Sequence, residues 1–194
     1  MPAGSVTKNT ANLIIGEGEL RVGASATNIG NSGEVLTSSD GLGAMKNIVF
    51  NDEATWVDHE SGYPAIDDIS RRVGTKANIT GNLEELSRKN LALAKGLDWT
   101  SYAALSGEIP IGQASTTPFY VRTELLFTLA DNAQAVIIFP RALFTNNIAL
   151  NFANDSWSGV PVTIKAFRAD SKITDGHGSW DLYPLGRFMY RKVA

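Results

Sequence analysis

The sequence predicts a mainly β fold: a β-sandwich or barrel flanked by one α-helix, with an extended N-terminal arm or loop and a C-terminal tail. Three observations carry that prediction. Apolar and polar residues alternate in short runs along much of the chain, most clearly from Phe119 to Leu129. Only one stretch, Leu83 to Lys95, has helical spacing with helix-type ends. Residues 24 to 45 are rich in Gly, Ser, Asn and Thr and show little periodicity, as a loop or arm would.

Taken in order, Gly18 to Ala26 places Leu20, Val22 and Ala24 on one face of a strand and Glu19 and Arg21 on the other. The arm, 24–45, follows. From Lys46 the alternation of Ile48 and Phe50 marks a strand, Asn51-Asp52 a turn, and Glu53 to Glu60 the second strand of a hairpin. Ser61-Gly62-Tyr63-Pro64 breaks the pattern, and Ile69, Val73, Ala77 and Ile79 then oppose Arg72, Lys76 and Asn78 in a third strand. The helix, 83–95, has Asn82 as its N-cap, Glu84 and Glu85 in the first turn, and Gly96 where a left-handed residue closes the last turn. Leu83, Leu86, Leu93, Ala94 and Leu97 group on its inner side, and Glu84 with Arg88 and Glu85 with Lys89 form outer pairs.

In the run from Phe119 to Leu129 the odd-numbered residues form one buried face, and Tyr120, Arg122, Glu124, Leu126 and Thr128 point the other way. Asp131-Asn132 turns the chain into Ala135 to Phe139, a strand that Pro140 ends or places at an edge. Ile148, Leu150 and Phe152 alternate in one further strand, and Val160, Val162, Ile164 and Ala166 in another, joined through Asn154-Asp155-Ser156. The tail carries Trp180, Tyr183, Phe188, Met189 and Tyr190, which need a docking place on their own core or on a neighbouring subunit. The total is about eight strands and one helix in a single domain, 1–194, with its β core at 46–169 and its tail at 170–194.

Composition narrows the function. A chain of 194 residues with 43% hydrophobic and 19% charged residues can bury a real core. No stretch approaches the ~18 unbroken apolar residues of a membrane helix. The N-terminus lacks a charged start followed by an apolar run, so synthesis in the cytoplasm is expected. The absence of cysteine removes disulfides and thiolate chemistry. A net charge of −3 gives no general attraction to nucleic acid. The charges are unevenly placed, however. Between Asn51 and Ser70 stand Asp52, Glu53, Asp58, Glu60, Asp67 and Asp68 without a Lys or Arg, whereas Lys165, Arg168, Lys172, Arg187, Arg191 and Lys192 outnumber the acids near the C-terminus. Ordinary solvated faces account for this, as do complementary surfaces of a repeating assembly.

Catalytic signals are weak. His59 and His177 stand far apart without metal-ligand spacing. In a strand, Asp58 and Glu60 share one face while His59 takes the other, and Asp175-Gly176-His177-Gly178 reads as a turn before it reads as a metal loop. Gly16-Glu17-Gly18 lacks the remainder of a dinucleotide fingerprint, and Gly-x-Ser-x-Gly is missing. The expectation is therefore no enzyme: no catalytic residues, no metal and no cofactor.

One segment carries a family resemblance. Val73-Gly74-Thr75-Lys76-Ala77-Asn78-Ile79-Thr80-Gly81-Asn82-Leu83-Glu84-Glu85-Leu86, running on to Gly96, resembles the strand, glycine and Leu-Glu-Glu-Leu helix of phage tail tube proteins, and Phe139-Pro140-Arg141-Ala142 through Phe167-Arg168-Ala169 resembles their second half. Together these span roughly Lys46 to Ala169. The resemblance implies a homo-oligomer of hexameric rings, stacked into a tube through which DNA passes without specific binding and without a membrane. The implied location is the virion tail, with a tape-measure protein inside, a sheath if the tail contracts, and tail terminator and baseplate proteins as partners. On that expectation Asp52, Glu53, Asp58, Glu60, Asp67 and Asp68 face the lumen or the ring-to-ring interface, where negative charge keeps DNA from adhering. A type VI-like secretion tube and another ring-forming virion protein, such as a tail terminator or head decoration protein, remain as alternatives.

Overall fold

The computed structural model describes residues 18–23, 36, 40–61, 66–100, 109, 111, 117–129, 133–145, 148, 150 and 159–192. The strands are β1 (Gly18–Gly23), β2 (Gly41–Ser61), β3 (Ile66–Leu83), β4 (Val121–Thr128), β5 (Ala133–Phe144), β6 (Val160–Ala166) and β7 (Arg187–Lys192), and the helix α1 (Arg88–Ala94) lies between β3 and β4. All strand pairs are antiparallel, in the order β4-β1-β2-β3-β6-β5-β7. Because β4 also pairs with β5, the six strands other than β7 close on themselves as a barrel. One margin of β5 is divided: Ala142–Phe144 bond to β6, and Ala133–Ile138 bond to β7.

Alternation places Leu20, Val22, Ile79, Val121, Leu125, Phe139, Val162 and Ile164 in a shared core inside the barrel. A second, smaller core lies on the outer wall of β4 and β5, where Leu126, Val136 and Ile138 are covered by Ala169 and Trp180 from the C-terminal segment. Val121–Leu126 are consequently buried on both faces, not on one as their alternation alone predicts. The tail docks on its own barrel: a 3-10 turn at Gly178–Trp180 buries Trp180 completely, and β7 extends the sheet.

Several sequence expectations are corrected here. The arm at 24–45 is shorter than its composition suggests, because Gly41–Met45 belong to β2 and pair with β1; residues 24–35 and 37–39 lie outside the described residues. Leu42 and Met45 are buried, and burying each contributes about 1.5–3 kcal/mol, more than the roughly 0.5–1 kcal/mol that a strand glycine costs. Gly43, at φ +96, and Asn47, at φ 54, take the left-handed conformations at which this strand bends. Asn51-Asp52 makes no turn. Asn51 pairs with Asn78 in mid-strand, and its Nδ2 donates to Asn78 Oδ1 at 3.0 Å.

The helix is Arg88–Ala94 rather than 83–95. Leu83 ends β3 fully buried and paired with Val160, while Glu84 N–H donates to Ala44 O at 3.0 Å and the Glu84 carboxylate pairs with Lys46, so the sheet claims the first turn. Ser87 is the N-cap, its Oγ accepting from Asn90 N–H at 3.1 Å. Leu86 is exposed, whereas Leu93, Ala94 and Leu97 are buried and the first two join the barrel core. Gly96 does close the helix: at φ +70 its N–H donates to Leu93 O, and Leu97 N–H reaches Ala92 O, a Schellman pair.

Pro140 neither ends β5 nor marks its edge. The register slips between Thr123↔Phe139 and Val121↔Ala142, so Pro140 and Arg141 share a bulge in which the absent proline N–H is harmless, and the strand runs on to Phe144. Ile148 and Leu150 pack on the core but belong to no strand, and Phe152 with the turn at 154–156 lies outside the described residues.

Candidate functional site

The dominant surface feature is the hairpin of β2 and β3. β1 accompanies β2 only as far as Met45, and β6 accompanies β3 only from Asn78 onward. Outward from Asp52 and Ala77 the two strands have only each other as strand partners among the described residues. At about 3.3 Å per residue, Asp52 to Ser61 carries this ribbon roughly 30 Å from the barrel. Register slips at Thr55/Trp56 and His59/Glu60 add bulges that increase its twist.

The cross-strand register sorts the ribbon's side chains. Phe50, Asp52, Ala54, Trp56, Asp58 and Glu60 share one face by alternation, and Ser70 Oγ donates to Asp58 on it. Val49, Glu53, Val57 and His59 take the other face, where Glu53 lies opposite Lys76 and His59 opposite Ile69. Of the predicted acidic set, the structure thus brings Asp52, Asp58 and Glu60 onto one exposed face and sends Glu53 to the opposite one. Asp67 and Asp68 sit in β3, Asp67 paired with Glu60, and their side chains lie outside the described residues. Large apolar side chains lie exposed among these acids: Trp56 is 55%, Val57 54%, Ile69 66% and Val73 58% accessible.

At the root of the ribbon is a groove of about 440 Å³ between the hairpin, β5 and the segment leading into β7. Phe50, Ile137, Phe139 and Phe188 form its apolar walls, and Arg72 and Arg187 line it. The Phe50 and Phe139 rings lie 6.4 Å apart, centre to centre. The Arg187 guanidinium rests 5.4 Å from the Trp180 ring centre, and its Nε is buried without a hydrogen-bond partner.

A second polar cluster lies on the outward face of β4. Arg122 and Glu124, two residues apart on β4 and almost wholly buried, are joined through Arg122 Nε and Nη2 to Glu124 Oε1 at 2.8 and 2.5 Å. Glu124 Oε2 accepts from Leu36 N–H at 2.5 Å, and Arg21 Nη1 donates to Leu36 O at 2.6 Å. Burial pushes the Glu124 carboxyl above its ordinary range, against the opposing pull of Arg122 and the Leu36 N–H.

The histidines do not join a reactive centre. His177 Nδ1 accepts from Ser179 N–H at 3.2 Å and so caps the 3-10 turn, while Asp175 faces Arg141 at 3.9 Å. No group of three or more potential metal-ligating side chains occurs among the described residues. No helix there is long and apolar enough to cross a membrane.

No family model and no curated protein matches the chain. Among solved structures, a chain described as the tail of an empty GTA particle, computed with helical refinement in C6 symmetry, is similar with a TM-score of 0.35 and 10% identity, over 82% of this chain and 93% of that one. A likeness that slight carries no argument about what this chain does.

Sequence reasoning missed the groove and the charge cluster. Groove residues come from β2, β3, β5 and the tail, and their meeting depends on a topology that no local pattern encodes. For the cluster a signal existed: Leu126 shares the outward face of β4 with Arg122 and Glu124, and an apolar residue there announces that the face is covered.

Proposed function

We propose that this chain is a structural subunit that assembles with copies of itself into a phage-type tail tube, and that it is not an enzyme. The observation that carries the reading is the ribbon. A two-stranded hairpin is marginally stable in water by itself, and this one leaves large apolar side chains exposed on both faces, Trp56 on one and Val57 with Ile69 on the other. Trp56, Val57, Ile69 and Val73 sit on such a ribbon, beyond the reach of the chain's own barrel. The resemblance of Val73 through Gly96 to tail tube proteins points the same way in its strand and in the helix closed by Gly96, while Leu83 to Leu86 stand before the helix here. On this reading copies form rings, rings stack, and DNA passes through the lumen, with Asp52, Asp58 and Glu60 turned to the lumen or the ring-to-ring contact. Electron microscopy of the concentrated protein tests the proposal: stacked rings are expected, and a chain that remains monomeric at every concentration overturns it.

A further inference from the structure

We infer that the groove at the root of the hairpin is the docking place of this chain's own residues 11–17, which lie outside the described residues and enter it as an added strand between β3 and β7.

The sheet is split at this groove. β6 bonds to β3 only from Asn78 onward and to β5 only at Ala142–Phe144, and where β6 ends β7 takes its place beside β5. The outer margin of β7 and the margin of β3 from Ile66 to Ala77 therefore border the same gap. Neither has a strand partner there among the described residues. Thr75 and Ala77 line the groove from one side and Phe188 from the other, with Ile137 and Phe139 as an apolar floor. Unpaired strand margins beside exposed apolar side chains suit an extended segment whose backbone bonds to both. A hairpin from a second copy does not meet that need, because each of its strands has one margin bonded already. The occupant is a single strand.

The point at which the chain enters the barrel names that strand. β1 runs antiparallel to β2, so the residues before Gly18 lead toward the end of the barrel from which the hairpin projects, and the groove opens at that end. A side chain at Gly18 would meet Ile48, Leu125 and Phe127, so the chain crosses the rim of the apolar interior here. Facing walls of packed sheet stand about 10 Å apart, a span of three or four extended residues at about 3.3 Å each. Leu13, Ile14 and Ile15 precede Gly18 by that distance, and Gly16 permits the bend that the crossing needs. Within 11–17 only Glu17 is charged, so the segment brings apolar side chains to the floor without a buried charge.

The chain has no cysteine, so introduced pairs report specifically. Leu13→Cys and Ile15→Cys are each combined in one chain with Phe188→Cys or with Thr75→Cys, and the dilute protein is oxidised. At least one of these four proteins gives an intrachain disulfide, read by mass spectrometry of the monomer; the Thr75→Cys pairs decide if Phe188→Cys does not fold. In parallel, the β7 amides that do not bond β5 exchange roughly tenfold or more slowly in the unmodified protein than in one lacking residues 1–15. Leu13→Asp with Ile15→Asp replaces the deletion if the shortened chain does not fold. No intrachain disulfide from any folded pair, or equal exchange in the two proteins, overturns the docking. A disulfide that forms only between copies assigns the groove to a second molecule and overturns it as well. Both measurements use the dilute subunit and are independent of tube assembly.

Discussion

Glu124 and Leu36 are separated by 88 residues of sequence, yet the carboxylate Oε2 of one accepts the backbone N–H of the other at 2.5 Å. With Arg21 Nη1 on Leu36 O, both polar groups of that residue's backbone are held by side chains of opposite charge from neighbouring strands. Glu124→Gln replaces two carboxylate oxygens with one amide oxygen, which can accept from Arg122 or from the Leu36 N–H but not from both as the carboxylate does. Because burial already disfavours the charged carboxylate, a loss of about 1–2 kcal/mol in urea unfolding at neutral pH is expected.

The same carboxyl sets a pH trend. Its folded pKa is raised above the ordinary 4.5, so the native state binds its proton more tightly than the unfolded chain does. Its contribution is complete below that ordinary value and is lost as pH rises through the folded pKa. Relative to Glu124→Gln, the unmodified protein should therefore lose stability as pH rises across this interval. Urea midpoints of both proteins at several pH values measure the difference, and parallel curves contradict it.

Asp170 behaves oppositely. The Arg168 guanidinium, bonded at 2.8 Å, holds its carboxyl below the ordinary 3.8, with help from the Lys172 N–H. That contribution is present above the ordinary value and disappears as pH falls through the lowered one. Arg168→Gln should shift the Asp170 carboxyl resonance titration upward in NMR.

Gly96→Ala tests the helix end. The residue sits at φ +70, and an added Cβ would lie 2.9 Å from Phe144 O. A destabilisation of about 1–2 kcal/mol is expected in thermal or urea unfolding, whereas an unchanged midpoint would mean that the helix end relaxes freely.

Trp56→Ser and Ile69→Ser separate folding from association. Both side chains are more than half exposed, so subunit stability should change by no more than about 0.5 kcal/mol. Assembly, followed by sedimentation, should weaken strongly. Trp180→Ala is the contrasting case: its ring is wholly buried against Leu126, Val136 and Ile138 on the outer wall of β4 and β5, and about 3–5 kcal/mol of stability should go with it.

Local pattern was readable wherever one force acted alone. The alternation at Leu20 and Val22, at Ile79, and at Val160 to Ile164 gave β1, the inner part of β3 and β6, because burial on one face dominates there. Gly96 gave the helix C-terminus because few residues tolerate φ +70. Errors arose where tertiary pairing overrode local preference. Asn82 and Glu84 have helix-start chemistry, but β6 and Ala44 offered their backbones sheet bonds. Asn51-Asp52 and Pro140 look like punctuation, but a side-chain bridge and a bulge absorbed them. Of the site, the acidic stretch and the shared face of Asp58 and Glu60 were visible in the sequence; that β2 runs unbroken through Asn51-Asp52, which adds Asp52 to that face, was not.

The strand order also dictates when the molecule can become whole during synthesis. β1, β2 and β3 can pair in sequence as soon as Leu83 has emerged, whereas the ring waits for β4, β5 and β6. A nascent chain thus owns its projecting ribbon before it owns the body that supports it. Crowded ribosomes on one message would bring such half-finished chains into contact, and the charges flanking Trp56 give them a means of staying apart until the last strands arrive.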